Sequence, residues 1–204
     1  MNSPTLSPMP APAIPLENSS PKRAHLMATA WRLFYRDGYR VVGIDTILAE
    51  AGVAKMTLYN HFPSKEDLIV AVLEKRDLEI RAGLHAAVEA AGRSPNRRLL
   101  GVFDWLDAWF ASDDFKGCAF IRALSEYPEP DHPIHRTAWR HKQAVTALLT
   151  ELTAAAGAKN PATLAETLSL LIDGSIIAAH ATGGTAPSTA ARAAAASLLK
   201  LATA

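Results

Sequence analysis

Apolar residues recur along this chain at helical spacing, in blocks that proline and glycine separate. The first block puts Leu26, Met27, Ala30, Leu33 and Phe34 on one stripe. Ser20-Pro21 ahead of it reads as an N-cap followed by proline at the first helical position, and Gly38 ends it. A short second block follows at Ile44, Ile47, Leu48 and Ala51, then a turn at Gly52-Val53-Ala54, then a third short block in which Leu58 and Phe62 stand four apart. Two short helices around a glycine turn form a helix-turn-helix signature, with Gly52 supplying the left-handed backbone state that a Cβ disfavours. Pro63-Ser64 stops the third helix and starts a fourth, where Ser64 and Asp67 resemble a capping box with Asp in place of Glu or Gln. That fourth helix is expected to run to about Ala91, with Gly83 inside it for no evident reason. Further helices are predicted over Asn96 to Ala111, Phe120 to Tyr127, Pro133 to Ala156, Pro161 to Thr182 and Pro187 to Ala202. The fold class is therefore all-α.

Composition narrows the setting. At 204 residues and 49% apolar, the chain suffices for one substantial core or two modest domains. A single cysteine, Cys118, excludes an internal disulfide framework and a cysteine-rich metal site, which suits a reducing cytoplasm. No run of about 18 uncharged apolar residues appears, so no membrane span is expected. Residues 1–20 are rich in proline and serine, lack the pattern of a secretory signal, and read as a disordered tail.

Charge separates the rest into two parts. Residues 21–65 carry seven basic and three acidic side chains, a net of +4, whereas 66–204 carry fourteen basic and sixteen acidic ones, a net of −2. The basic part coincides with the helix-turn-helix, as an electrostatic footprint for a polyanion would, although solvated helix faces give the same count. In its second helix Lys55, Thr57, Tyr59, Asn60 and His61 are donors or flat rings on the side away from Leu58 and Phe62, suited to a DNA groove. Lys22 and Arg23 open the first helix within reach of a phosphate. Lys65 opposes the dipole of the helix it begins, so another partner is expected, and a DNA phosphate is the natural candidate.

The run from Gly38 to Leu68, GYRVVGIDTILAEAGVAKMTLYNHFPSKEDL, resembles the DNA-binding domain of the TetR/AcrR family of transcriptional regulators. AGV, TLY, HF and SK all stand at the family's mutual spacing. The resemblance implies that Thr57, Tyr59, His61 and Lys65 contact the DNA backbone or position the reading helix, and that Lys55, Met56 and Asn60 read bases. It departs at Val42-Gly43, where the family often has a hydroxyl pair; Thr46, a turn further on, is the substitute hydroxyl. The domains are then a helix-turn-helix domain over 21–65 and an effector-binding and dimerisation domain over 66–204. The implied protein binds a pseudo-palindromic double-stranded DNA operator as a homodimer joined by its last two helices, about 161–182 and 187–202. A small-molecule effector releases it.

The residues of the second part leave choices open. In the helix from Pro161, Leu164, Leu168, Leu171, Ser175 and Ala179 share a face, with Gly174, Ala178 and Ala181 keeping adjacent positions small. In the last helix Ala190, Ala194, Leu198 and Leu201 repeat the pattern. These faces either pair with a second chain or complete the monomer core. Trp105, Trp109, Phe120 and Trp139, with Cys118, are the material of an aromatic effector cavity or of plain core. Arg122 either faces an anionic effector or pairs with Glu126, four residues on. Asp173, in an apolar run, serves a ligand, a dimer contact or a helix-helix hydrogen bond. His132, His135 and His141 raise a metal site without the spacing to require one, and Cys118 a redox sensor or an inert thiol. No cofactor is implied, and no nucleophile elbow, phosphate loop or histidine pair four apart points to an enzyme. An enzyme using Cys118 or a histidine, and a constitutive DNA-binding regulator without effector, remain the alternatives.

Overall fold

The computed structural model describes residues 20–204, so the tail expected over residues 1–20 lies, Ser20 excepted, outside the described residues. These form nine helices: α1 Pro21–Asp37, α2 Ile44–Ala51, α3 Lys55–His61, α4 Lys65–Ala90, α5 Pro95–Phe110, α6 Ala119–Glu126, α7 Pro133–Ala155, α8 Pro161–Thr182 and α9 Ala186–Thr203. No strand occurs among the described residues, and each helix ends within a residue or two of its expected bounds. The expected caps explain several of these ends. Ser20 Oγ accepts from Arg23 N–H at 3.2 Å ahead of Pro21. Gly52 closes α2 in the left-handed region, at φ 64°. Ser64 Oγ accepts from Asp67 N–H at 3.0 Å and donates to Asp67 Oδ2 at 2.7 Å.

Contacts divide the described chain into two compact units, one of residues 20–78 and 118–142, the other of 79–117 and 143–204. The first unit extends beyond the 21–65 expected for the DNA-binding part, taking in the start of α4, α6 and the start of α7. Within it α1 packs on α2 and α3. Leu26, Ala30, Leu33 and Phe34 of α1 are buried with Ile47, Leu58, Phe62, Leu68 and Ile69. Burying side chains of that size contributes about 1.5–3 kcal/mol each, which offsets the weak intrinsic stability of helices as short as α2 and α3.

In the second unit α9 packs on both α8 and α5. Gly83 gains a role there that its sequence context concealed: a Cβ at this position would lie 3.0 Å from Trp105 Nε1, so its absence admits the indole to the α4 backbone. Polar pairs fix α9 along α5, through Ser188 to Asp107 and Arg192 to Asp104, each at 2.6 Å. On α8 the stripe left open between a second chain and the monomer core falls largely to the core. Leu164, Leu168, Ser175 and Ala179 are buried within the protomer, while Leu170, Gly174, Ile177, Ala178 and Ala181 are exposed. On α9 the buried face is Ser188, Ala191, Ala195 and Leu199, which leaves the expected Ala190, Ala194, Leu198 and Leu201 on the more open side. By length and composition alone α8 is long and apolar enough to cross a membrane, although it holds no uninterrupted run of about 18 uncharged apolar residues. It carries Glu166 and Asp173, and Asp173 is only part-buried, which lowers the desolvation cost expected for it.

Candidate nucleic-acid interface

Helix α3, the one expected to read DNA, is anchored from below and open above. Leu58 is fully buried and Phe62 is 2% exposed, whereas Lys55, Met56, Tyr59 and Asn60 all face solvent, Met56 at 71%. Thr57 and His61 are part-buried at the margins, and His61 Nε2 lies 3.4 Å from Ser20 Oγ, the cap of α1. Two contacts from α1 hold the preceding helix α2: His25 Nε2 meets Ala51 O at 3.0 Å, and Arg32 pairs with Glu50 at 2.9 Å. Arg23 covers the Phe62 ring at 4.9 Å. Lys22 stands exposed beside it at the start of α1.

At the entry to α2 the N-cap is Gly43, and no side chain caps it. Thr46 is exposed, its Oγ1 3.9 Å from where a Gly43 Cβ would stand, which places a hydroxyl at the helix entrance. Lys65 already has a partner in the free protein: its ammonium donates to Arg40 O at 3.3 Å, and burial pulls its pKa down. The surface is thus an exposed helix row flanked by cations on a prepacked base, with the chemistry to contact phosphates at its edges and base edges along the row.

The residues considered for an effector are divided between the two units. Trp105, Trp109 and Asp173 belong to the second unit; Cys118, Phe120, Arg122 and Trp139 belong to the first. Trp105 and Trp109 have ring centroids 5.5 Å apart, and Trp109 and Phe110 surround Phe115, at 5.1 and 4.9 Å, with His180 6.5 Å from Phe115. Phe115 and His180 were missed because loop and helix-end residues carry no periodic signal. In the first unit Phe120 is buried and stacked on His141 at 3.6 Å, Cys118 is a part-buried free thiol at the start of α6, and Trp139 is 53% exposed. Arg122 does not pair with Glu126, as its spacing suggested. Its Nη1 donates to Phe34 O and Tyr35 O at 3.2 and 2.9 Å, while the Glu126 carboxylate accepts from Tyr39 and Arg40 N–H at 3.2 and 2.7 Å. The histidines also disperse: His135 Nδ1 meets Tyr127 O at 2.8 Å, His132 packs on the Tyr127 ring at 4.7 Å, and His141 Nδ1 meets Asp77 at 2.7 Å. No three metal-ligating side chains converge among the described residues.

Comparison with known proteins places this geometry. The model of bacterial regulatory proteins, tetR family, matches residues 26–72, which span α1 to the start of α4. A TetR-family transcriptional regulator from Streptomyces coelicolor is similar over 90% of this chain and 96% of its own, with a TM-score of 0.85 and 35% identity. A TetR transcriptional regulator from Streptomyces avermitilis shares 30% identity at a TM-score of 0.73, over 90% of this chain and 98% of its own. Among curated proteins, the HTH-type transcriptional regulator YjdC of Escherichia coli is 23% identical over 75% of this chain and 80% of its own length. The HTH-type transcriptional activator FasR of Mycolicibacterium smegmatis is 31% identical over 53% of this chain and 49% of its own, so the chain spans about half of that relative. Given an N-terminal helix-turn-helix and 35% identity along nearly the whole of a solved relative, the chain belongs to the TetR family of DNA-binding transcriptional regulators.

Proposed function

We propose that the protein is a ligand-responsive transcriptional repressor that binds a pseudo-palindromic operator as a homodimer and leaves it when a small molecule binds. The observation that carries the DNA-reading part is the exposed row Lys55, Met56, Tyr59 and Asn60 above the buried Leu58. Thr57, His61, Lys65, Lys22 and Thr46 supply the phosphate contacts around it, so affinity falls steeply with salt while base choice rests on Lys55, Met56 and Asn60. Two such heads about 34–36 Å apart read an inverted repeat. The exposed faces of α8 and α9 favour joining them there, since Leu170, Ile177 and Leu201 are otherwise large apolar side chains left in water. Repression is the sign named for relatives such as NemR of Escherichia coli, 25% identical over 63% of this chain, although FasR is named an activator. Such a regulator acts in the cytoplasm, with no membrane partner and no catalytic step at Cys118 or a histidine.

The aromatic cluster around Trp109 and Phe115, in the unit that also holds Asp173, is the place for the effector. Effector and DNA then oppose each other to the same extent, by linkage. A second reading, a constitutive regulator with a filled core, is favoured by the close ring packing of Trp109, Phe110 and Phe115. The test is enrichment of random duplex DNA on the full chain, followed by native mass spectrometry of the protein. An enriched inverted repeat with a dimer bearing a releasable small mass is expected. No enrichment would overturn the regulator reading; a bare dimer that still enriches one sequence would favour the constitutive one.

A further inference from the structure

The turn between α1 and α2 is gripped by α6, and the grip is reciprocal. Arg122 of α6 sends Nη1 to Phe34 O and Tyr35 O, in the last turn of α1. Arg40, three residues beyond the end of α1, donates Nε to Glu126 O at 2.5 Å, at the last residue of α6, and lies 4.8 Å over the Tyr127 ring. Each helix thus receives a guanidinium at its C-terminal end, where the dipole is negative and carbonyls lack helical partners.

The Glu126 carboxylate grips the same turn, accepting Tyr39 N–H at 3.2 Å and Arg40 N–H at 2.7 Å. Tyr39 itself is 1% exposed and donates its hydroxyl to Ala119 O at 3.1 Å, so the turn engages both ends of α6. From the other side Lys65 Nζ holds Arg40 O. Arg40 is thereby fixed at its amide, its carbonyl and its side chain, only four residues before α2 begins. Gly38 completes the fit, with φ +99° and Glu126 Oε1 2.9 Å from where a Cβ would be.

We infer that Glu126 is a positioning residue for operator binding: by holding the backbone of the α1–α2 turn, its carboxylate sets where α2 and α3 are presented to DNA. The reasoning is geometric. Neither α2 nor α3 has a side-chain N-cap, so the entry to the helix-turn-helix is defined by what grips the preceding turn. That grip comes from a residue 86 positions away in sequence, on a helix outside the motif. The inference rests on the operator-reading proposal above.

The test compares full-length wild type, Glu126→Ala and Glu126→Gln on two duplexes, one enriched from random DNA by the wild type and one unrelated duplex of equal length. Glu126→Ala is expected to bind the enriched duplex about tenfold more weakly, the equivalent of one charge-assisted hydrogen bond. Its affinity for the unrelated duplex should stay within about twofold, because non-specific binding needs charge and not alignment. Glu126→Gln keeps one carbonyl oxygen for two N–H groups and should fall between. Wild-type affinity of Glu126→Ala for the enriched duplex overturns the inference, as does an equal loss on both duplexes tracking a lowered melting temperature, which marks a merely structural role. Should Glu126→Ala fail to fold, Glu126→Gln decides alone, an unchanged affinity overturning the inference. If the wild type enriches no sequence, the operator reading falls and takes this role with it; if it does, a negative result falls on Glu126 alone.

Discussion

Gly174 offers a direct test of the proposed dimer face. It lies on the exposed side of α8, between Leu170 and Ile177, which are 74% and 57% exposed. A Cβ built there meets nothing within 4 Å, and its backbone is outside the positive-φ region. Within one protomer, Gly174→Leu therefore meets no obstacle at its Cβ, on a side exposed to solvent, and gains helix propensity, about 0.5–1 kcal/mol. In a dimer closed across this face the same side chain has to be accommodated twice, because a two-fold interface repeats every change. Overpacking costs about 1–3 kcal/mol per site, hence about 2–6 kcal/mol for the pair, which weakens association roughly thirtyfold to twenty-thousandfold. Sedimentation velocity over a dilution series, with circular dichroism at the same concentrations, reads both quantities. The expected result is a shift of the dimer midpoint to higher concentration with helicity retained. An unchanged midpoint would refute the placement of the interface on the outer face of α8.

Three further outcomes are expected. Gly52→Ala, at φ 64° with no neighbour within 4 Å of its Cβ, should lose only the backbone term, about 1–2 kcal/mol, lowering the urea midpoint without altering the m-value; an unshifted midpoint would contradict the left-handed cap. Burial pushes the Tyr39 phenol well above its ordinary pKa, so the folded state keeps its proton where the unfolded chain ionises. Stability from this group is complete below about pH 10 and falls as pH rises beyond it; Tyr39→Phe should be about 1 kcal/mol less stable at neutral pH yet lose less in alkali, and melting temperatures that fall equally above pH 10 in the two proteins would count against it. Across operator variants at fixed salt, Lys55→Ala should change preference at particular base pairs, whereas Lys65→Ala should weaken all sequences alike; identical profiles would undo the division of roles.

The helix-turn-helix was legible because its determinants are local. Gly52, Leu58, Phe62 and the Ser64 cap each act within a turn or two of their own position, and proline and glycine marked nearly every helix end. What escaped the sequence acts at a distance. Arg122 and Glu126 stand at the spacing of a helix-surface pair, yet each takes a partner more than 80 residues away in the α1–α2 region, which periodicity cannot express. On α8, apolar or small residues occur nearly all the way round, so spacing identified stripes without saying which one the protomer buries. Gly83 illustrates the same limit, since the reason for a glycine inside a long helix is a tryptophan on the next one.

That tryptophan also makes the protein its own optical instrument. Trp105 lies against bare backbone at Gly83 and 5.5 Å from the Trp109 ring, so its emission depends on how closely α4 and α5 approach. Of the four tryptophans, Trp139 is more than half exposed and contributes a solvent-like background against which the part-buried Trp105 stands out. A molecule that wedged these helices apart would announce itself as a spectral shift, without label or DNA, and compound libraries become searchable in a cuvette.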